Sequence, residues 1–344
     1  MFADSGGWLR RLRQAAMRGM LSAGSLESGV AMPDMPPVLL AGSASVHLVA
    51  AVERTSGLRH AACAIERFPD GEVSVRLDEG VRGRDVIILA ATAPPVNDHL
   101  VELLAIADTC RRADAARIVA VIPYFGYARS DRRDGRRTPI MASLVAMLIE
   151  RAGIGHVVTI DAHTPALEGF FRIPVDNLSA VPLLARAIRD RVGDHAVVAA
   201  PDLGATRLAT RYAAALQLPV AICHKRRMGG AEVSVELVTG DVRGRRCIIV
   251  DDMISTGATI VESVRALREA GAEPEPVVVA THAVFAPSAL ERLADAGVRE
   301  LLVSDTIEPR GTAARLVPTV ASIAPLVATA IGHLTAGGSL RELA

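Results

Sequence analysis

Two adjacent acids, Asp251 and Asp252, directly follow the short apolar run Cys247 to Val250, and behind them come Ser255, Thr256, Gly257, Ala258 and Thr259. Small and hydroxylated residues in that order can wrap a phosphate with backbone N–H groups and side-chain oxygens at a helix amino terminus. Carboxylates accept hydrogen bonds from a vicinal diol but repel phosphate oxygens. The stretch therefore asks for a sugar phosphate. An ordinary strand–turn–helix with capping Ser and Thr would account for the hydroxyls, but not for the paired acids.

Four further constellations stand at the ends of apolar runs. Phe68-Pro69-Asp70-Gly71-Glu72 offers an aromatic face and two acids that could stack on a purine and accept from its amino group or a nearby Arg; alone it reads more readily as a turn with solvated acids. Pro123-Tyr124-Phe125-Gly126-Tyr127-Ala128-Arg129-Ser130-Asp131-Arg132-Arg133 is a basic loop led by aromatics, and arginine forks suit polyphosphate oxygens. His163, in Asp161-Ala162-His163, can contact a metal or a phosphate, and Asp202 could reach Mg²⁺ directly or through water. His224-Lys225-Arg226-Arg227 looks like a flap able to close on a transferring phosphoryl group, where charge builds up in the transition state. By itself that cluster is a common surface feature.

Positioning these groups falls to alternating strands and helices. Runs at Val38 to Ala41, Ala61 to Ile65, Val73 to Leu77, Val86 to Ala91, Ile118 to Ile122 and Val157 to Ile160 read as strands, with helices at Asp98 to Arg112 and Pro139 to Arg151. A second set follows from about Leu178: helices over 180–192, 204–216 and 287–296, and strands over 196–200, 219–223, 232–238, 276–281 and 299–303. Behind Thr259, Ile260, Val261, Val264 and Leu267 recur at helical spacing. Such crossovers give an α/β fold of two doubly wound, mainly parallel sheets, with ligands beyond the carboxyl ends of the strands. The expected division is an extension over 1–37, an α/β domain over 38–178 and another over 179–344.

Composition narrows the class. The chain has 344 residues, long enough for two cores, and its 38 basic and 38 acidic side chains balance, which argues against a general nucleic-acid binder. Its four cysteines are widely spaced and read as reduced, buried thiols of a cytoplasmic protein. Leu316 to Leu340 lacks Asp, Glu, Lys and Arg but contains prolines and glycines, so a strand and a packed terminal helix are expected rather than a membrane span. Residues 1–37 alternate arginines with apolar residues before a Pro-rich linker; an amphipathic or transit-like leader and a mobile tail both fit.

From Val38 to Ala344 these motifs, in this order, resemble the ribose-phosphate pyrophosphokinases, also called phosphoribosyl pyrophosphate synthetases. The resemblance includes Gly42-Ser43, Ala93-Pro94-Pro95-Val96-Asn97-Asp98-His99-Leu100 and Gly169-Phe170-Phe171-Arg172-Ile173-Pro174-Val175-Asp176. It implies transfer of a pyrophosphoryl group from ATP to ribose 5-phosphate, with Mg²⁺, in a homo-oligomer of phosphoribosyltransferase-like fold. By that likeness Phe68, Asp70, Glu72, Arg129, Asp131 and His163 bind ATP, His163 and Asp202 match groups at the metal site, and Asp251, Asp252, Ser255, Thr256, Gly257, Ala258 and Thr259 bind ribose 5-phosphate. Lys225 and Arg227, with His163, match the catalytic groups. Ser130, Glu168 and Asp202-Leu203-Gly204-Ala205 depart from the usual pattern. A catalytically silent regulatory paralogue and a phosphoribosyltransferase are the competing expectations.

Overall fold

The computed structural model describes residues 35–133, 135, 137–227, 233–309 and 315–344, and at 225–227 and 233–236 the backbone alone. The leader reading of the amino terminus thus lies outside the described residues. From Pro36 onward the chain forms one compact unit.

Apolar runs buried on both faces make parallel strands. Strand β1 (Val38–Ala41) is such a run, fully buried, whereas β2 (Cys63–Arg67) and β3 (Val73–Leu77) form a separate antiparallel hairpin that is only half-buried. Strands β4 (Asp85–Leu89), β5 (Arg117–Ile122), β6 (His156–Ile160) and β7 (Val175–Leu178) complete the first sheet, in the order β1-β4-β5-β6-β7 with every ladder parallel. The second sheet contains β8 (Val197–Ala200), β9 (Val220–Arg227), β10 (Val233–Thr239), β11 (Cys247–Ile254), β12 (Val277–Ala283), β13 (Glu300–Ser304) and β14 (Thr319–Ala321). Its order is β10-β9-β8-β11-β12-β13-β14, and β10 alone runs antiparallel to its neighbour.

Helices α1 (Val46–Ser56), α2 (Val96–Arg112), α3 (Met141–Ala152), α4 (Val181–Val192), α5 (Thr206–Leu216), α6 (Ala258–Glu269), α7 (Ala289–Asp295) and α8 (Ala324–Thr335) supply the crossovers and the terminal layer. In α6 the expected apolar positions Ile260, Val264 and Leu267 are buried. One apolar cluster joins the inner faces of both sheets, from Leu39, Ile87 and Val158 to Val198, Ile248 and Val279, through residues of α1, α4, α5 and α8. The last helix, α8, packs against the first, α1. Beyond it, the Leu343 carbonyl accepts from the Ser179 N–H at 2.8 Å.

Most elements stand within a residue or two of the sequence expectation, and three departures have clear physical causes. Helix α1 has no counterpart in the reading of the sequence, because Glu53, Arg54 and Thr55 mask the stripe Leu48, Val49 and Val52 that it buries. Strand β7 was equally hidden, since Val175-Asp176-Asn177-Leu178 is half polar yet pairs with β6. Strand β11 does not stop at Val250 but runs through both acids to Ile254, because β12 continues alongside it as far as Ala283. Helix 324–335 after a short strand matches the terminal expectation, and among the described residues no helix is long and apolar enough to cross a membrane.

Candidate active site

The sugar-phosphate motif folds as a strand, a turn and a helix. Asp251 and Asp252 lie in the carboxyl half of β11, with Asp251 opposite Ala280 and Met253 opposite His282 on β12. Ser255 to Gly257 then turn the chain into α6. Gly257 occupies the N-cap at φ 74°, in the left-handed region, and an added Cβ would stand 3.3 Å from Leu293. A larger residue there would be strained twice over, by backbone and by packing. The carbonyls of Ile254 and Ser255 accept from the N–H groups of Phe285 and Ala286 at 2.9 and 3.0 Å, which pins the turn to the segment after β12. The helix amino terminus with its hydroxyl side chains is left facing outward, suited to an anion.

The two acids are in different electrostatic states. Burial, reinforced by the neighbouring charges of Asp252 and Asp202, pushes the Asp251 carboxyl well above the usual carboxylate range. For Asp252 burial acts in the same direction, but the hydrogen bond from His163 and the positive charge behind it outweigh that effect and hold its value below the usual one. His163 Nδ1 donates to Asp252 Oδ2 at 2.7 Å, and this bond lifts the imidazole above its ordinary value against the opposing effect of burial. His163 follows β6 in the first sheet and Asp252 lies two residues before the end of β11 in the second. The bond therefore joins the rims of the two sheets.

Arg129 and Asp131 both lie close enough to act on the charge of His163. Beside them opens a cavity of about 670 Å³ lined by residues such as Asn97 and Asp98 from the first turn of α2, Tyr127, Arg129 and Ser130 from the loop after β5, and Met253 from the second sheet. The Tyr127 hydroxyl donates to Asn97 Oδ1 across its wall. Ser130 turns back on its own loop, with its Oγ accepting from the Met141 N–H at 3.3 Å. The aromatic and basic loop after β5 is thus where the sequence placed it.

Other expected residues stand apart. Phe68, Asp70 and Glu72 form a tight hairpin turn, closed by Phe68 N–H donating to the Glu72 carbonyl at 2.8 Å, and none of them lines the cavity. The hairpin is held against α2, where Arg67 pairs with Asp98 at 3.7 Å and Glu102 at 3.9 Å, and Phe68 is left 51% exposed. Lys225 and Arg227 lie on β9, opposite Val235 and Val233 of β10, so the chain continues in strand where a flap was expected; their side chains and residues 228–232 lie outside the described ones. Asp202 lies in the turn before α5, accepting from the Ala205 N–H at 3.1 Å, near enough to raise Asp251. Among the cysteines, Cys110, Cys223 and Cys247 are buried while Cys63 is only half-buried. Nothing in the sequence singles out Thr281 and His282, because an apolar strand with one Thr and one His reads as core.

Two mainly parallel sheets meet at their carboxyl rims, one rim presenting paired acids and a hydroxyl-rich turn and the other a basic aromatic loop, an arrangement that fits an enzyme of the phosphoribosyl type. Comparison with known proteins specifies the family. Residues 37–153 match the model of the N-terminal domain of ribose phosphate pyrophosphokinase, and residues 176–309 match that of the phosphoribosyl transferase domain. The ribose-phosphate pyrophosphokinase of Chromobacterium violaceum is 44% identical over 300 residues, covering 86% of this chain and 91% of the relative. That of Rhodopirellula baltica is 43% identical over 310 residues, covering 89% and 97%. The crystal structure of phosphoribosylpyrophosphate synthetase from Mycobacterium smegmatis superposes with a TM-score of 0.81 at 38% identity, covering 88% of this chain and all of that one. The chain belongs to the ribose-phosphate pyrophosphokinase family.

Proposed function

We infer that this protein transfers the pyrophosphoryl group of ATP to the 1-hydroxyl of ribose 5-phosphate. The hydroxyl oxygen attacks the β-phosphorus, the bond from that phosphorus to the α,β-bridging oxygen breaks, and AMP leaves as 5-phosphoribosyl 1-pyrophosphate forms. The single observation that supports this best is the His163–Asp252 hydrogen bond, which puts a nucleotide-side group and a sugar-side group in one cleft. Asp251 and Asp252 accept the sugar hydroxyls, Ser255 to Thr259 hold its phosphate, and Arg129 with His163 meets the polyphosphate. To Lys225 and Arg227 we assign neutralisation of the charge that develops on transfer. Little covalent work falls to the protein in such a reaction, so positioning and charge neutralisation dominate.

The donor set suits a hard divalent cation. Asp251, buried and crowded by Asp252 and Asp202, is pushed well above the usual carboxylate range, and a cation nearby would favour its charged form. Among the described residues no three His, Cys, Asp or Glu side chains form a closed metal cage. Magnesium needs none: it binds through one or two protein groups and keeps water and phosphate oxygens as its other ligands. His163 and Asp202 are the groups we assign to it, and when bound the ion neutralises the transferring phosphates.

We further read 38–178 as the nucleotide half, 179–344 as the sugar half, and the protein as cytoplasmic and homo-oligomeric. Phe68, exposed on its hairpin and away from the cavity of its own chain, would meet the nucleotide of a second copy. The test is purified protein with ribose 5-phosphate, Mg²⁺ and ATP, following AMP against controls without sugar and with excess chelator. AMP dependent on both sugar and metal is expected. ADP in its place, or no nucleotide product at all, would refute the reaction.

A further inference from the structure

Behind the cleft lies a second connection between the same strand ends. We propose that buried Asp161, Thr281 and His282 form a positioning unit that fixes the carboxyl end of β6, which leads to His163, against those of β11 and β12, and so aligns the two substrates. The Asp161 carboxylate accepts from the Thr281 hydroxyl at 2.7 Å, the Ala180 N–H at 3.0 Å and the Ser179 hydroxyl at 3.2 Å. His282 Nε2 faces the Asp161 carbonyl at 3.2 Å, so this nitrogen carries the proton and donates. Nδ1 is then the acceptor, served by the Thr306 hydroxyl at 2.9 Å, while the Ser304 hydroxyl donates to the Thr281 carbonyl at 2.6 Å. Tyr124, from the loop after β5, meets the His282 ring edge-on at 5.1 Å.

Three features separate this cluster from ordinary packing. It is polar yet dry, with Thr281 fully buried and His282 only 2% exposed, a combination that destabilises unless each group is matched. Asp161 holds φ at 39°, a left-handed conformation that a non-glycine residue keeps only where its surroundings impose it. Register places the cluster directly behind the sugar acids, since Ala280 pairs with Asp251 and His282 with Met253. The His163–Asp252 bond, by contrast, faces the cleft and must open whenever either side chain turns to a ligand. The deep connection needs no such opening to keep β6 tied to β12.

The inference rests on the reaction described above. It predicts that loosening the unit leaves each substrate site intact but misaligns them, and a displacement of about 1 Å can lower a rate roughly 10²-fold. Thr281→Val keeps the shape and removes the hydroxyl; Thr281→Ser restores it. His282→Leu and His282→Gln are the corresponding pair, because the Gln amide can still donate to the Asp161 carbonyl. For both Thr281→Val and His282→Leu, kcat should fall about 30- to 100-fold while KM for each substrate, and calorimetric Kd for each alone, stay within about twofold. The Ser and Gln variants should recover most of the rate. Should Thr281→Val not fold, Thr306→Val at the far end of the cluster should show the same split with a smaller fall.

Unchanged kcat with a lowered Tm would reduce the cluster to packing and overturn the proposal, as would a rise in both KM values at constant kcat. A wild-type protein without turnover would defeat the reaction and this inference together, whereas a fully active Thr281→Val enzyme would defeat this inference alone.

Discussion

The stretch proposed for the sugar is continuous, from Asp251 to Thr259, while the residues proposed for the nucleotide come from loops after β5 and β6 and from a hairpin that stays outside the cavity. A contiguous motif carries its geometry with it: strand end, turn and helix start are local consequences of residue type. An assembled site depends on the crossings of a whole sheet, and we propose that here a second copy completes it. Damage to the first should be local and severe, and damage to the second partial, or conditional on a second copy.

The largest effect is expected where both sides converge. Replacing Lys225 with Ala should lower kcat by at least about 10²-fold, the scale of losing one preorganised electrostatic contact, with little change in either KM; near-normal kcat would remove Lys225 from the reaction. Next is Asp252→Asn. It weakens a charge-assisted acceptor for the sugar and the pair with His163, each worth about 1.5–3 kcal/mol, so KM for ribose 5-phosphate should rise about 10- to 100-fold. If KM for ATP rose instead, the division into a sugar rim and a nucleotide rim would be wrong.

Phe68→Ala sharpens the contrast further. A stacked base is worth about 1–3 kcal/mol, so KM for ATP should rise about 10-fold at protein concentrations where the protein is oligomeric; an unchanged value would leave the hairpin without a role in the nucleotide site. The smallest effect concerns the thiols. Burial pushes Cys63 up to about 11, and Cys110 and Cys247 up to about 12. Their reactive thiolate forms are therefore scarce at pH 8. Thiol titration of the native protein at that pH should be slow, with Cys63 modified before the fully buried pair, and mass spectrometry of the alkylated peptides would reveal the order.

Sequence made the sugar side legible because its chemistry and its fold share the same residues. Ile260, Val264 and Leu267 mark the helix and Ser255 to Thr259 the turn before it, although the strand runs on through both acids. The basic loop was legible too, through Tyr124, Phe125 and Arg129. Distance along the chain hid the rest. Nothing in His163 or Asp252 announces that they touch, and the polar trio behind them was invisible because Thr281 and His282 sit in a strand that otherwise reads as core. Helix α1 escaped notice for a related reason: its buried stripe makes sense only once α8 is present to cover it.

That last contact has a consequence for how the protein is made. The first helix of the compact unit is covered by the last, and Ser179, at the joint between the sheets, hydrogen-bonds to Leu343. A ribosome must therefore release nearly the whole polypeptide before the amino-terminal layer can close. Until then α1 leaves apolar surface uncovered and in need of shelter from chaperones. Nascent chains stalled short of Ala324 should remain protease-sensitive throughout, and not only in their newest segment.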